Sequence, residues 1–207
     1  MFILGLTGSI AMGKSTAAAM FRRLRVPVFD ADREVHALLA PGGGAFASVS
    51  AAFPDALRDG CLDRSRIARR VFDDPEALAK LERILHPRVM RAQCRFLQTM
   101  ARRRMRLVVL DIPLLFETGG ERGCDAVAVV TAPEFIQRQR ILARPGMDRA
   151  RLSATLARQM ADAEKRRRAD FVIPTGLGKA ETMRHIRRIV DRCSGMPGWQ
   201  RPSYGMY

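Results

Sequence analysis

The strongest constraint on the fold lies at the start of the chain, in Gly5–Thr16, which reads GLTGSIAMGKST. It contains G-x-x-x-x-G-K-S through Gly8, Gly13, Lys14 and Ser15, with the apolar run Phe2–Leu6 before it and a helical pattern over Ser15–Leu24 after it. A phosphate cradle needs that order. The glycines let the chain turn tightly and aim backbone N–H groups at an anion. Lys14 can then reach the β- and γ-phosphates, and the Ser15 hydroxyl can join a Mg²⁺ shell. A helix starting at the loop adds its positive end. The middle, Ile-Ala-Met, stands where such loops often carry more glycine. At Ala11 a methyl replaces conformational freedom, which costs about 1 kcal/mol if φ is positive there. Met12 still offers its backbone N–H.

The rest of the chain alternates in the way such a loop requires. Val26–Phe29, Leu107–Ile112, Ala126–Val130 and Phe171–Ile173 read as short strands apolar on both faces. Helical patterns cover Pro75–Leu85, Pro133–Arg144, Ala150–Arg168 and Lys179–Arg192. Asp74 suits the N-cap of the first, with Pro75 at its first position, and Thr131 stands behind the second. Leu78, Leu81 and Leu85 fall on one helical face. Strands of this kind, alternating with helices, predict an α/β fold whose parallel sheet is covered on both sides. The stretch from Phe29 to Leu107 lacks a clear strand and predicts an inserted helical subdomain, with Pro41-Gly42-Gly43-Gly44 as a turn inside it. At 207 residues the chain can bury one good core and a small appended subdomain. The tail from Ser194, with Gly, Pro and the lone Trp199, is expected to be poorly ordered.

Charge narrows the partners. The formal net charge is +15, with only four lysines, Lys14 among them, in 36 basic residues. Such a balance favours polyanions: nucleic acid, acidic lipid or small phosphorylated molecules. Aromatic residues make up 6%, without the basic–aromatic interleaving of a stacking surface, which disfavours nucleic acid. Arg102–Arg104, Arg166–Arg168 and Arg184/Arg187/Arg188 suit solvated helix faces. No apolar run approaches the roughly 20 residues that span a bilayer, and Met1–Leu6 is too short for a signal peptide. The expectation is a cytoplasmic protein without a membrane partner, a monomer or weak oligomer. Cys61, Cys94, Cys124 and Cys193 show no C-x-x-C pair and read as free thiols.

Two carboxylate sites follow buried strands, where α/β proteins bind ligands: Asp30-Ala31-Asp32 and Asp111-Ile112-Pro113. An Asp there either caps a helix or serves phosphate chemistry. In the second role, one carboxylate accepts a proton from an attacking hydroxyl and another orients magnesium. Gln137, Arg140 and Arg144 recur on one helical face, as a plain surface row or as cations offsetting charge on a transferring phosphoryl group. The chain has no Asn-Lys-x-Asp guanine-reading motif. A kinase of a small phosphorylated molecule fits best. Another small-metabolite or nucleotide kinase, and a nucleic-acid-stimulated ATPase, are the alternatives.

The motifs taken in order resemble the dephospho-CoA kinase family. They are GLTGSIAMGKST, FDAD (Phe29–Asp32), DGCLDR (Asp59–Arg64), VFDDP (Val71–Pro75), LERILHP (Leu81–Pro87), LDIPLLFE (Leu110–Glu117), QRQR (Gln137–Arg140) and EKRRRADFVIPTG (Glu164–Gly176). The resemblance implies transfer of the γ-phosphate of ATP, with Mg²⁺, to the 3′-hydroxyl of dephospho-CoA. It also implies a P-loop kinase core with a five-stranded parallel sheet flanked by helices, an inserted helical substrate domain and a helical lid. The core would comprise 1–32, 106–135 and 169–193, the insert about 33–105, the lid about 136–168 and the tail 194–207. Carried over, Gly8, Ala11, Met12, Gly13, Lys14, Ser15, Thr16 and Gly176 would bind ATP. Lys14, Asp32 and Arg140 would be catalytic, with Asp32 the base and Arg140 facing the transferred phosphate. Asp32, His86, Leu114 and Arg144 would contact the acceptor, and Ser15 and Asp111 the metal. His86 would either meet substrate phosphate or hold a helix end. The family loop often reads G-G-I-G-S-G-K-S, so Ser9, Ala11 and Met12 replace Gly, Gly and Ser. Pro174-Thr175 stands where Asp-Asn is common.

Overall fold

A computed structural model describes residues 1–143 and 159–196. The chain divides into two compact units, one made of Met1–Phe29 with the described residues from Met100 onward, the other of Asp30–Thr99.

The first unit carries the sheet. Its strands are β1 (Phe2–Thr7), β2 (Val28–Asp30, whose last residue opens the second unit), β5 (Leu107–Asp111), β6 (Ala126–Thr131) and β7 (Phe171–Pro174), in the order β2-β5-β1-β6-β7. β1 pairs in parallel with β5, Phe2 opposite Leu107, and with β6, Leu4 opposite Ala126; β6 pairs in parallel with β7. The period-two alternation of β6 shows why both faces had to be apolar. Ala126, Ala128 and Val130 enter one core with Leu4, Leu6 and Phe21, whereas Val127 and Val129 enter another with Leu115 and Phe116. Helix α1 (Lys14–Arg23) and the last helix, α8 (Lys179–Ser194), pack on the first face through Ala17, Ala18, Ile186 and Ile189. The strand expected at Val26–Phe29 begins two residues later. Pro27 has no N–H for the ladder, but its carbonyl accepts from Val109 at 2.9 Å.

Two helices of this unit depart from expectation. The pattern at Pro133–Arg144 becomes α6 (Glu134–Leu142), with Pro133 extended at the N-cap; Thr131 spends its hydroxyl on Asp162 at 2.8 Å. The helix expected over Ala150–Arg168 appears as α7 (Asp162–Arg168); residues 150–158 lie outside the described residues. Gln159 to Ala161 are not helical, because their groups bond elsewhere. The Met160 N–H goes to Glu117, and the Gln159 side chain accepts the Ile10 N–H through Oε1.

The second unit contains α2 (Ala31–Leu39), α3 (Phe46–Ala52), α4 (Arg64–Asp73) and most of α5 (Pro75–Arg102) around Leu39, Val49, Phe53, Ile67, Val71 and Leu85. Asp30, Asp63 and Asp74 each cap a helix, accepting from Arg33, Ser65 and Ala77. An antiparallel pair, β3 (Leu57–Arg58) with β4 (Cys61–Leu62), interrupts the stretch expected to lack strands. Its Asp59-Gly60 turn has φ of +46° and +74°, the hairpin chemistry that an Asp-Gly dipeptide encodes. Helix α5 runs past Pro87, and so corrects the expected end at Leu85. Beside the proline, the Arg88 guanidinium bonds the Ile84 carbonyl at 2.7 Å, the Gly44 carbonyl at 2.8 Å and Ser48 at 2.9 Å.

Among the described residues, no helix is long and apolar enough to cross a membrane, and no three His, Cys, Asp or Glu gather as metal ligands. None of the four cysteines forms a disulfide, and burial pushes the Cys193 thiol up to about 11. The expected tail falls mostly outside the described residues, since α8 continues to Ser194 and residues 197–207 are not described.

Candidate active site

The glycine loop joins β1 to α1. A Cβ on Gly8 would lie 2.3 Å from Val130 Cγ2 and 2.7 Å from the Val130 carbonyl oxygen, so only glycine fits there. Gly13, at φ +91°, is the N-cap of α1, and a Cβ on it would press on Thr175 at 3.0 Å. Ala11 has φ +60°. The condition set by the sequence is met, and the loop carries a left-handed non-glycine residue at a cost of about 1 kcal/mol. Met12 is buried and its sulfur accepts from the Ala132 N–H at 3.1 Å, which pins the loop to the end of β6.

Lys14 begins α1 and places Nζ 2.7 Å from Asp111 Oδ1 at the end of β5. The lysine side chain is 15% exposed and the aspartate 4%. A buried carboxylate so close to the loop aims the ammonium at the strand ends. Ser15 and Thr16 are exposed in the first turn of α1.

Several loop atoms are held by α6 and by the turn after β7. Gln137 donates Nε2–H to the Ile10 carbonyl at 2.8 Å, and Gln159 accepts the Ile10 N–H at 3.0 Å. Arg140 donates to the Ala11 carbonyl at 3.3 Å, the Thr175 hydroxyl at 3.1 Å and the Thr175 carbonyl at 2.8 Å. Its guanidinium thus bonds one loop carbonyl and two oxygens of Thr175. Thr175 in turn donates to the Met12 carbonyl at 2.6 Å. A cleft of about 800 Å³ opens beside them, lined by Met12, Pro133, Gln137, Pro174, Gly176 and Leu177 among others.

Beyond Asp111, the turn of the LDIPLLFE segment is fixed from two sides. The Thr7 hydroxyl bonds the Pro113 carbonyl at 2.8 Å, and Lys165, fully buried, pairs with Glu117 at 2.8 Å. Burial alone would raise the Glu117 carboxyl, but the Lys165 ammonium and the Met160 N–H hold it below the ordinary range. Its other oxygen, Oε2, is buried without a hydrogen-bond partner. Leu114, on the same turn, is 37% exposed.

Within the second unit, Asp30 is the cap of α2 and Asp32 stands exposed in its first turn. His86 lies inside α5 and is exposed, so it does not hold a helix end. Arg144 lies outside the described residues. Gln159, Thr175 and the Lys165–Glu117 pair had no assigned role in the sequence reading. The polar Thr175 at the end of an apolar strand and a lysine in an arginine-rich run were the available signals.

Comparisons with known proteins agree with these features. The family model described as dephospho-CoA kinase matches residues 2–179. A dephospho-CoA kinase of Paramagnetospirillum magneticum is 63% identical over 166 residues, 80% of this chain and 78% of that one. One from Rhodospirillum rubrum is 52% identical over 202 residues, 96% of this chain and 95% of that one. The crystal structure of TT1252 from Thermus thermophilus has a TM-score of 0.80 at 36% identity, over 92% of this chain and 96% of the other. Dephospho-CoA kinase from Campylobacter jejuni has a TM-score of 0.69 at 25% identity, over 93% and 96%.

Proposed function

The chain belongs to the dephospho-CoA kinase family, and on that premise we propose how its residues transfer the γ-phosphate of ATP to the 3′-hydroxyl of dephospho-CoA. What supports the reading most is the loop, with Ala11 and Gly13 at positive φ and Lys14 held at its mouth by Asp111. Backbone N–H groups of Ala11 and of Gly13 to Thr16 receive the phosphate oxygens, whereas the Met12 N–H that the sequence offered is spent on the Ser9 carbonyl at 3.1 Å, and the start of α1 adds its positive end. Lys14 leaves Asp111 for the β- and γ-phosphates and offsets the charge that spreads over the transferring group. Gly176 and Leu177, at the cleft, receive the base. Arg140 adds a positive charge behind the loop.

Asp32 takes the proton of the 3′-hydroxyl as that oxygen bonds to the γ-phosphorus. The bond from γ-phosphorus to the β-phosphate oxygen breaks, and ADP leaves with the electron pair. The exposure of Asp32 suits this role, since its proton passes on to water. The residues assigned to the acceptor are His86, within the helical stretch of about 33–105, and Leu114 and Arg144. Magnesium fits the donors present. Mg²⁺ binds through one or two protein oxygens plus phosphates and water, and the Ser15 hydroxyl with the Asp111 carboxylate meets that need once Lys14 has moved. Bound there, it would neutralise phosphate charge.

The test is a substrate panel. With Mg-ATP, ADP release should follow addition of dephospho-CoA, and neither adenosine, AMP nor DNA should substitute. Release stimulated by DNA but not by dephospho-CoA overturns the assignment. A finer prediction concerns the base. Asp32→Asn should lower kcat by about 10²–10⁴-fold with little change in ATP affinity. An equal loss in both would make Asp32 a metal or structural residue.

A further inference from the structure

We propose that Gln137 and Gln159 form a clamp on residue Ile10, positioning the phosphate loop and taking over a task that glycine performs in loops richer in it. The proposal rests on the loop being the ATP site. The two side chains grip opposite ends of one residue: Nε2 of Gln137 donates to the Ile10 carbonyl at 2.8 Å, and Oε1 of Gln159 accepts from the Ile10 N–H at 3.0 Å. Gln137 is buried in α6, and Gln159 is half-buried ahead of α7. Ile10 is bonded at both its polar groups by side chains from sequence positions more than a hundred residues away.

The next residue explains why such a grip is useful. Ala11 sits at φ +60°, a conformation glycine adopts freely and alanine does not. Left to itself, a loop with alanine there relaxes by rotating the adjoining peptides, and its N–H groups turn away from a common centre. Holding Ile10 at both its N–H and its carbonyl, on the two peptides that flank it, blocks that rotation from one side. On the other side Arg140 takes the Ala11 carbonyl at 3.3 Å, and Thr175 takes the Met12 carbonyl at 2.6 Å. Every carbonyl from Ile10 to Met12 therefore points to a protein donor. The N–H groups of Met12 and Ala17 are spent within the turn and helix, on Ser9 and Gly13 respectively. The clamp presents a fixed loop to the nucleotide at no cost in loop ordering on binding.

The two glutamines act with opposite polarity, one as donor and one as acceptor, which makes the test directional. Gln137→Leu and Gln159→Leu each remove one grip while keeping volume. Each should raise KM for ATP about tenfold, the size of one lost hydrogen bond, with KM for dephospho-CoA unchanged. Gln137→Glu, which sets a carboxylate against the Ile10 carbonyl, should be at least as damaging as Gln137→Leu. Adding Ala11→Gly should reduce the penalty of either leucine variant, because glycine holds positive φ without help. A merely structural role would raise both KM values together or lower only the thermal midpoint, and Ala11→Gly would bring no relief; either result overturns the clamp. If Gln137→Leu does not fold, the less buried Gln159→Leu carries the same comparison. Should the native protein itself fail to use ATP with dephospho-CoA, the functional reading fails instead, and the two failures stay distinct.

Discussion

Lys14→Ala will lower kcat about a hundred- to a thousandfold, the usual consequence of removing one donor aimed at developing charge. The structure adds a complication the motif does not reveal. Lys14 pairs at 2.7 Å with Asp111, whose side chain is only 4% exposed, so the single change also leaves a buried carboxylate short of a cation. The thermal midpoint should therefore fall together with turnover. Adding Asp111→Asn separates the two effects, restoring most of the midpoint and none of the turnover. Steady-state assays and thermal melts on both variants check this. A near-normal kcat in Lys14→Ala would refute its role at the phosphates.

The largest stability effect belongs to Lys165. Its fully buried ammonium meets Glu117 at 2.8 Å and the Pro113 carbonyl at 3.4 Å. Lys165→Met strands the Glu117 carboxylate, a loss of about 3–5 kcal/mol, or about 6–20 °C in a protein of this size. Glu117→Leu combined with Lys165→Met should recover much of it, because an apolar pair needs no charge compensation. The pH dependence has a definite sign. The Glu117 carboxyl is lowered from 4.5 in the folded protein, so its stabilising contribution is fully present above that ordinary value. The contribution disappears as pH falls through the lowered folded value. The gap in midpoint between native protein and Lys165→Met should accordingly narrow in acid. A gap independent of pH would mean that packing, not charge, makes Lys165 important.

Much of the fold was legible because its signals are local. Apolar β-branched runs marked all five sheet strands, and Asp74-Pro75 marked a helix start. The hairpin around Asp59-Gly60 was equally local but its strands are two residues each, too short to show alternation. The continuation of α5 through Pro87 was not legible, since a proline ordinarily ends such a pattern; the Arg88 bonds beside it, to Ile84, Gly44 and Ser48, reach up to 44 residues away. The site divides in the same way. Gly8, Gly13, Lys14 and Ser15 announce themselves by spacing. The residues that hold the loop, Gln137, Arg140, Gln159 and Thr175, lie more than a hundred residues downstream and meet it only when β6 and β7 stack beside β1. Arg140 was legible as a cation on the α6 face, but its bonds to two carbonyls and a hydroxyl were not.

The central claim is tested most directly by following where the phosphate goes. ATP labelled at the γ-phosphate should be incubated with magnesium, the protein and dephospho-CoA, and the products resolved by phosphorus NMR. The account predicts stoichiometric ADP and label at the 3′-position of the ribose, with no transfer to an acceptor lacking the 3′-hydroxyl. Label appearing in inorganic phosphate alone, or transferred equally to the 3′-deoxy acceptor, would contradict it.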